Sequence, residues 1–335
     1  MDHSSTIAIE DFAIDVPNQA HSPELKVVRE TLSLRAADGR SLAAQLTHAR
    51  GAPRAIVVIS SAMGVPMRFY AGFANFLAEA GISVLSYDYR GIGGSKQEHV
   101  RTEPARLLDW GRLDAQAAHL AALTRWPELP VIALTHSIGG QLLSLSGVSG
   151  QLAGVVLVGS QMGYWRHWQG SARWFMAAMW FAVIPTLSRI CGFLPMRVFR
   201  QGEDLPGGVA RDWALWGKHR RSLFDAASSA SGAHPGFEQL TAPVLALSFA
   251  DDAYAPHAAV KALLAEMPHA HVQHWHQDAQ SVRKRPIGHF RFFRPSVAPE
   301  LWDQLAQWLL MRKPGSALDA EKAQTDAAHR AWLYR

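Results

Sequence analysis

A serine, an aspartate and a histidine, in that order along the chain, are the residues best suited to carry out chemistry. Ser137 follows an apolar run at residues 131–134, typical of a buried strand, and precedes a helix-like stretch that begins at Ile138. A serine at a sharp strand-to-helix turn holds its Oγ above the sheet, where it can attack a carbonyl carbon. The attack requires a base within hydrogen-bond reach and a third group that orients the base. The sequence therefore predicts a nucleophile at Ser137, with an acid and a base further along the chain.

The predicted turn needs small residues two positions before and two positions after the serine, because strand and helix pass close together there. Gly139 meets this requirement, whereas Thr135 carries a β-branched side chain that crowds the turn. The sequence therefore predicts a tight turn with one departure from the ideal, at Thr135.

The predicted acid lies on the loop that follows a downstream strand. Residues 243–248 form an apolar run, and the loop after it contains the adjacent carboxylates Asp251 and Asp252. We favour Asp252, because it lies four residues before Pro256, the usual spacing in such a loop. Asp251 would then be a solvated neighbour or would form an Asx turn. The loop at residues 160–163, the other usual place for the acid, contains no carboxylate.

The predicted base has to be chosen among sixteen histidines. His289 lies on the loop between the last predicted strand and the last predicted helix, where its side chain can reach the edge of the sheet. His274 and His276 lie inside a strand pattern, from which a side chain cannot easily reach that edge. We therefore predict His289 as the base, the alternative being a loop histidine with a purely structural hydrogen bond.

An attacked carbonyl also needs two N–H donors for the oxyanion that forms on it. One predicted donor is the backbone N–H of Ile138, directly after the nucleophile. The second should come from the loop after the strand at residues 55–59, where Ala62 and Met63 lie at a suitable distance. Met63 is slightly preferred, and the hydroxyl of Ser61 is a further alternative.

The predicted elements describe a mostly parallel, doubly wound α/β sheet that begins with an antiparallel hairpin. The two alternating stretches at residues 27–34 and 42–46 flank Asp38-Gly39, a strong hairpin signal. Strands then alternate with helices, which is typical of parallel sheets with helices on both faces. The further strands are predicted at residues 55–59, 82–87, 131–134, 154–159, 243–248 and 271–276, and the helices at 69–80, 106–124, 258–265 and 297–311.

The alternation stops between residues 160 and 240, where no strand signal is found and six of the 12 tryptophans lie. We interpret this segment as a helical cap inserted into a core of residues 26–159 and 241–312. Its apolar run at residues 174–184 ends at Pro185 and is too short to span a bilayer. The run predicts either a helix buried between cap and core or an acyl-chain pocket or membrane-facing lid. The predicted substrate-binding residues are Trp165, Trp168, Trp174 and Trp180.

Composition narrows the function classes further. The 335 residues carry a formal net charge of +5, but the basic residues are scattered, which disfavours nucleic-acid binding. The single cysteine excludes an intrachain disulfide and a cysteine metal cluster. No phosphate-binding glycine motif and no His-x-x-x-His spacing on a helix is found. His274 and His276 share one strand face, but no carboxylate partner can be placed beside them, so neither a cofactor nor a metal is expected.

The two ends of the chain lie outside the predicted domains. Residues 1–25 form a polar leader without the pattern of a signal peptide, and residues 313–335 form a charged tail. A cytoplasmic location, no stable membrane insertion and at most weak contact with a membrane surface are the resulting expectations.

Over roughly residues 26–312 the sequence resembles the α/β-hydrolase superfamily. The stretch Asp-Tyr-Arg-Gly-Ile-Gly-Gly-Ser at residues 88–95 is similar to a loop common in that superfamily. Together with residues 62–66, 135–140 and 288–290, it resembles a bacterial group of predicted serine hydrolases. That group is similar to serine-aminopeptidase-like and monoglyceride-lipase-like hydrolases. No His-Gly pair precedes the oxyanion loop, which departs from the usual pattern.

The resemblance implies an α/β-hydrolase fold and cofactor-free hydrolysis of a carboxylic ester with an apolar moiety, through an acyl-enzyme intermediate. The alternatives are an acyltransferase, a thioesterase or an amidase with the same triad, and a catalytically silent binding protein. The small-molecule substrate and the oligomeric state are not specified by these motifs.

Overall fold

One eight-stranded sheet organises the part of the chain that the computed structural model describes, namely residues 27–199, 202–220, 236–284 and 286–314. The predicted leader at residues 1–25 and residues 315–335 of the predicted tail lie outside this part. The strand order is β1-β2-β4-β3-β5-β6-β9-β10. The strands are β1 (Arg29–Arg35), β2 (Ser41–Thr47), β3 (Ala55–Ser60), β4 (Ile82–Tyr87), β5 (Val131–His136), β6 (Gly154–Val158), β9 (Val244–Phe249) and β10 (Val272–Gln277).

The pairing confirms the predicted fold class. Strands β1 and β2 form the antiparallel hairpin, and β2 is also antiparallel to β4. All other neighbours in the sheet are parallel. Strands β3, β4, β5, β6 and β9 are buried along their whole length, as expected for parallel strands covered on both faces.

Helices cover the two faces of the sheet and create two separate apolar cores. The helices are α1 (Ala71–Glu79), α2 (residues 107–125), α3 (Ile138–Leu143), α4 (Gly170–Cys191), α5 (Gly207–Lys218), α6 (His257–Leu264), α7 (Ala279–Lys284) and α8 (Pro299–Leu310). The π-helical turn at Trp110–Ala115 interrupts α2. One core contains Phe73 of α1 and Trp302 of α8, whereas the other contains Trp110 of α2 and Leu263 of α6.

The segment between β6 and β9 differs from the sequence prediction in two respects. It contains a short antiparallel ribbon, β7 (Phe193–Leu194) and β8 (Leu205–Pro206), although no strand was expected there. Helix α4 also continues through Pro185 to Cys191. A π-helical turn at Met179–Val183 directly precedes the proline, so the hydrogen-bond pattern of the helix already changes where the backbone N–H is missing. Two-residue strands are too short to produce a period in the sequence, which explains the first error.

Helix α4 is, by length and composition alone, able to cross a membrane. Its 22 residues have a mean hydropathy of 1.4 in the most apolar window, of which 22% is buried inside the protein. A single such helix is weak evidence, since core helices pass the same test. Trp180 on its inner side is 3% exposed and packs against Trp213 of α5 at a ring-centroid distance of 4.8 Å.

Candidate active site

Ser137 lies at the sharp turn between β5 and α3, as the sequence predicts. Its φ of 54° and ψ of −118° make it the one non-glycine residue with positive φ in the described part of the chain. Such a conformation costs on the order of 1–3 kcal/mol and persists only where the surrounding structure enforces it. A Cβ on Gly139 would lie 2.6 Å from the carbonyl oxygen of Ser60, so the turn admits only glycine there.

Thr135, the departure noted in the sequence, fits the turn through its hydroxyl group. Its Oγ1 donates a hydrogen bond to the carbonyl oxygen of Val156 on the neighbouring strand at 3.2 Å. It also lies 3.3 Å from Ser160 Oγ. Since Thr135 is fully buried, these bonds replace the water that the hydroxyl would otherwise need.

Asp252 and His289 meet at this edge of the sheet. His289 Nδ1 lies 2.8 Å from Asp252 Oδ2, and both side chains are almost completely buried. Asp252 Oδ1 accepts the backbone N–H groups of Tyr254 and Ala255 at 2.9 and 3.0 Å. An aspartate that only accepts hydrogen bonds requires the proton of the imidazole on Nδ1, which leaves the lone pair on Nε2.

Gly159, at the end of β6, lies directly beneath the Asp252–His289 pair. A Cβ at this position would be 3.1 Å from Asp252 Oδ2 and 3.2 Å from His289 Nδ1, and the φ of Gly159 is +55°. Its neighbour Val158 accepts the backbone N–H of Ser137 at 3.0 Å. The pair therefore lies above the strand adjacent to the serine. Sequence reasoning missed Gly159, although a glycine at the end of a strand was the available signal.

The serine and the histidine are close in the fold but not directly bonded. The described hydrogen bonds of Ser137 and His289 do not include one between the serine hydroxyl and the imidazole. The backbone of His289 is nevertheless fixed beside the elbow, because His136 Nε2 lies 2.8 Å from its carbonyl oxygen.

Asp251 is exposed, as expected for a solvated neighbour, and it also holds the loop that carries His289. Its Oδ2 accepts the backbone N–H of Ile287, two residues before the histidine, at 2.8 Å. The two adjacent carboxylates thus have different tasks. Asp252 contacts the imidazole, whereas Asp251 ties together the loops that carry Asp252 and His289.

A buried chain of hydrogen bonds connects the loop after β3 with His289. The backbone N–H of Ala62 donates to Tyr70 Oη at 2.9 Å, and Tyr70 Oη lies 2.9 Å from His136 Nδ1. Burial, together with the nearby His289, lowers the pKa of His136 well below its usual value, so this imidazole is neutral. Tyr70 must then donate to Nδ1, and Nε2–H donates to His289. Sequence reasoning assigned no role to Tyr70 or His136.

This chain of bonds distinguishes between the two candidates for the second oxyanion donor. The N–H of Ala62 is already used by Tyr70, whereas among the described residues no backbone acceptor takes the N–H of Met63. Ser61 Oγ is buried without a hydrogen-bond partner in the described part of the chain. Ile138 opens α3, and the first N–H of a helix has no partner within the helix.

The segment after α4 crosses over this loop. The backbone N–H of Glu203 donates to the carbonyl oxygen of Gly64 at 2.8 Å. The Glu203 carboxylate binds Arg68 Nη2 at 2.9 Å, Lys96 Nζ at 2.5 Å and the N–H of Gly93 at 2.9 Å. Burial acts to raise the pKa of Glu203, but the hydrogen bonds from these partners outweigh it and lower the pKa to about 2. Glu203 therefore anchors the inserted segment to the loop of Met63 as a permanent anion.

The four predicted substrate-binding tryptophans lie in different places. Trp168 is buried, and its Nε1–H donates to the carbonyl oxygen of Ala253, next to Asp252, at 2.8 Å. Trp180 lies inside, between α4 and α5. Trp165 is half-buried and contacts Trp174, which is 67% exposed, at a ring-centroid distance of 5.9 Å. Two of the four are thus internal, and two lie towards the outer surface.

Solved structures with a similar fold include two enzymes of known class. A soluble variant of monoglyceride lipase from Saccharomyces cerevisiae, crystallised with a substrate analogue, superposes with a TM-score of 0.61 and 12% identity, over 89% of this chain and 100% of that one. An esterase of Pyrococcus furiosus gives a TM-score of 0.55 and 14% identity, over 84% of this chain and 90% of that one. These likenesses establish the α/β-hydrolase fold.

Sequence similarity connects the chain to a family. Human monoglyceride lipase is 28% identical over 125 residues, which is 36% of this chain but only 40% of that protein. A family model described as serine aminopeptidase S33 matches residues 51–277, which includes Ser137 and Asp252. This match covers about two thirds of the chain, and the chain therefore belongs to the serine aminopeptidase S33 family of hydrolases.

Proposed function

We propose that this chain is a serine hydrolase that cleaves carboxylic esters with an apolar group, through an acyl-enzyme on Ser137. The observation that carries the proposal is the buried hydrogen bond between His289 and Asp252, located above the strand adjacent to the Ser137 elbow. A buried, oriented imidazole beside a strained serine is the arrangement that activates a hydroxyl group for attack.

In the proposed reaction, His289 Nε2 takes the proton of Ser137 as Oγ attacks the ester carbonyl carbon. Asp252 stabilises the resulting imidazolium and keeps its Nδ1–H in place. The imidazolium then gives its proton to the departing alkoxide, and the acyl group remains on the serine. In the second half, His289 takes a proton from water, the hydroxide attacks the acyl carbon, and the proton returns to Ser137 as the carboxylic acid leaves.

The oxyanion of each tetrahedral intermediate would be bound by the N–H groups of Met63 and Ile138. Backbone donors of this kind typically contribute about 3–4 kcal/mol each to the barrier reduction. We propose Met63 over Ala62, because Tyr70 already accepts the N–H of Ala62. Glu203 supports this donor indirectly, by fixing the carbonyl group of Gly64 on the next residue.

The segment of residues 160–240 would act as the cap that receives the apolar group. Its support is the density of aromatic side chains there and the fact that one relative by sequence and one protein of similar fold are monoglyceride lipases. A monoacyl ester of a small alcohol is therefore the proposed substrate class, and Trp165 and Trp174 are proposed to contact its acyl chain. Arg166 stacks on Trp165 at 5.0 Å, so weak contact with a membrane surface is compatible with this face. The single cysteine fits the proposed cytoplasmic location.

A second candidate is the hydrolysis of an amide by the same triad. The observation that favours it is the description of the family, which names an aminopeptidase. Ester and amide hydrolysis share the acyl-enzyme, so the geometry of Ser137, His289 and Asp252 serves both. The leaving group distinguishes them: the amide reaction would release p-nitroaniline from aminoacyl p-nitroanilides, and the ester reaction p-nitrophenol from acyl esters.

The proposal is tested by labelling with a fluorophosphonate probe, with Ser137→Ala as the matched control. We expect one label per chain on the unaltered protein and none on the variant. Absence of labelling on a folded, unaltered chain would contradict both the ester and the amide proposal. Rates on p-nitrophenyl esters of increasing acyl length, compared with aminoacyl p-nitroanilides, would then separate the two.

A further inference from the structure

Three histidines gather on the face of the sheet that α6 covers, at the edge formed by β10. They are His257, the first residue of α6, and His274 and His276 of β10. One possible ligand nitrogen of each lies within 4.8 Å of the others. Only two of the three share an element, and for this reason the sequence showed no complete set of ligands.

The sheet fixes two of these imidazoles side by side. In the parallel register, His276 lies opposite Ser248 of β9, and His274 lies two residues away on the same face. Ser248 Oγ is 2.7 Å from His274 Nε2 and 2.8 Å from His276 Nδ1. One hydroxyl group therefore marks a point on which nitrogens from both rings converge.

The third imidazole approaches from the helix. The ring of His257 stacks on that of His276 with a centroid distance of 4.5 Å and an angle of 9° between the planes. It also meets His274 edge-on at 5.3 Å. His257 is exposed, and the last torsion of a histidine is broad, so its ring can turn a nitrogen towards the other two.

We propose that His257, His274 and His276 form a binding site for a divalent transition-metal ion of the Zn²⁺ type, separate from the Ser137 site. Three neutral imidazoles suit Zn²⁺, Cu²⁺, Ni²⁺ or Co²⁺ far better than Mg²⁺ or Ca²⁺, which prefer oxygen ligands. Zinc–nitrogen distances are about 2.0–2.1 Å, so the three nitrogens must close by small ring rotations, and the hydroxyl of Ser248 must turn aside. Lys261, one turn along α6, is the cation that opposes the bound ion.

The position of this site gives it a mechanical role. The acid loop, which carries Asp252, begins after Phe249 of β9 and ends where His257 opens α6. An ion held by His257 and by two residues of β10 would clamp one end of this loop to the last strand of the sheet. Metal binding would then stabilise this edge without touching the reacting atoms, since stabilisation follows directly from binding to the folded state.

The test is a titration of the full, untagged chain with ZnCl₂, measured by isothermal titration calorimetry. We expect one ion per chain, with a Kd at least about tenfold weaker in His274→Gln and in His276→Gln. His271→Gln, an exposed histidine directly before β10, is the matched control and should leave the Kd unchanged. Equal weakening in His271→Gln, or binding without defined stoichiometry, would overturn the site.

A measurement on the unaltered chain covers the case in which a variant fails to fold. Diethyl pyrocarbonate modifies accessible imidazoles, and mass spectrometry locates each modified residue. Zn²⁺ should protect His257, His274 and His276 and should leave His271 reactive; lack of selective protection would refute the proposal. Ser137→Ala should bind Zn²⁺ as the parent does, so failure of the proposed hydrolase function and failure of this metal site can be told apart.

Discussion

The edge of the sheet around Ser137 and the helix α4 differ in how far their side chains are buried. At the sheet edge, Asp252 and His289 are buried, and both carboxylate oxygens of Asp252 and Nδ1 of His289 have defined hydrogen-bond partners. Helix α4 instead turns Trp174, Phe175, Phe181 and Ile190 outwards, with exposed fractions between 53% and 74%. Polar groups held in fixed hydrogen bonds are what a preorganised reaction site requires, whereas α4 exposes an apolar surface. Substitutions at the sheet edge should therefore lower kcat, whereas substitutions on the exposed side of α4 should change KM.

The largest expected effect comes from Asp252, the proposed acid. Asp252→Asn should reduce kcat for a p-nitrophenyl ester by roughly 10³–10⁴-fold, because an amide no longer fixes the reactive tautomer of His289. Asp251→Asn, the matched neighbour, keeps an oxygen that can accept the N–H of Ile287 and loses only the charge on this anchoring bond, so it should cost about tenfold or less. Steady-state kinetics of the two variants provide the measurement. A larger loss of kcat in Asp251→Asn would show that Asp252, the carboxylate bonded to His289, is not the functional one.

These two aspartates show which contacts could be predicted from the sequence and which could not. The spacing before Pro256 singled out Asp252, the carboxylate that contacts His289 in the structure, because spacing along one loop is local information. The bond between Asp251 and Ile287 joins two loops 36 residues apart, and nothing in either segment indicates it. The same holds for Gly159, whose position beneath His289 depends on two elements meeting in space.

The order of strands and helices was predictable for a similar reason, since apolar periodicity is local. Periodicity did not indicate which side of α4 is buried, because apolar residues occur on both sides of this helix. Trp174 and Trp180 are identical in type, but six residues turn a helix by about 600°, so the two point in different directions. Trp174 is 67% exposed and Trp180 only 3%, a difference that depends on α5 packing on one side.

The next effect tests whether the sheet edge is rigid because of its buried hydrogen-bond chain. His136→Leu removes the partner of both Tyr70 and the carbonyl group of His289. We expect kcat to fall by about 10–100-fold with KM nearly unchanged, and the free energy of unfolding to fall by about 1–3 kcal/mol, the cost of leaving buried polar groups unpaired. Kinetics and urea denaturation provide the two readouts.

Tyr70→Phe is the matched variant for the same chain, because it keeps the ring and removes only the hydroxyl between Ala62 and His136. It should shift kcat in the same direction as His136→Leu but by less. If His136→Leu lost stability while its kcat stayed at the parent value, the chain of bonds would be structural only. Wild-type kcat in both variants would show that the two loops are positioned by other contacts.

A pH experiment compares the core with the insertion through two histidines. Burial lowers the pKa of His119 on α2 from its ordinary value of 6.5 to about 4. In the unfolded chain His119 is protonated as the pH falls below 6.5, whereas in the folded chain it is protonated only near pH 4. The free energy of unfolding therefore falls as the pH decreases through this range. The slope from one such group is about 1.4 kcal/mol per pH unit.

His119→Phe should remove this contribution, and its stability should therefore depend less steeply on pH between 6.5 and 4 than that of the parent chain. His167 in the insertion is the matched comparison: its pKa is also lowered by burial and by the nearby Arg220, but the residue is only half-buried. His167→Gln should change the slope less. Urea denaturation at a series of pH values measures both, and equal slopes in parent and His119→Phe would contradict the assignment.

The smallest expected effect lies on the exposed side of α4. Trp174→Ser should leave the free energy of unfolding within about 0.5 kcal/mol of the parent value, since the side chain is mostly exposed. If this surface meets the apolar part of the substrate, KM for an octanoate ester should rise about 3–10-fold, the change expected for losing part of an apolar contact of about 1 kcal/mol. The acetate ester should show no change, because its acyl group is too short to reach the helix.

Trp165→Ser provides the second point on the same surface, as the ring of Trp165 lies 5.9 Å from that of Trp174. An equal rise in KM for both esters would place these tryptophans outside the acyl site, and the outward face of α4 would then act in neither stability nor substrate selection.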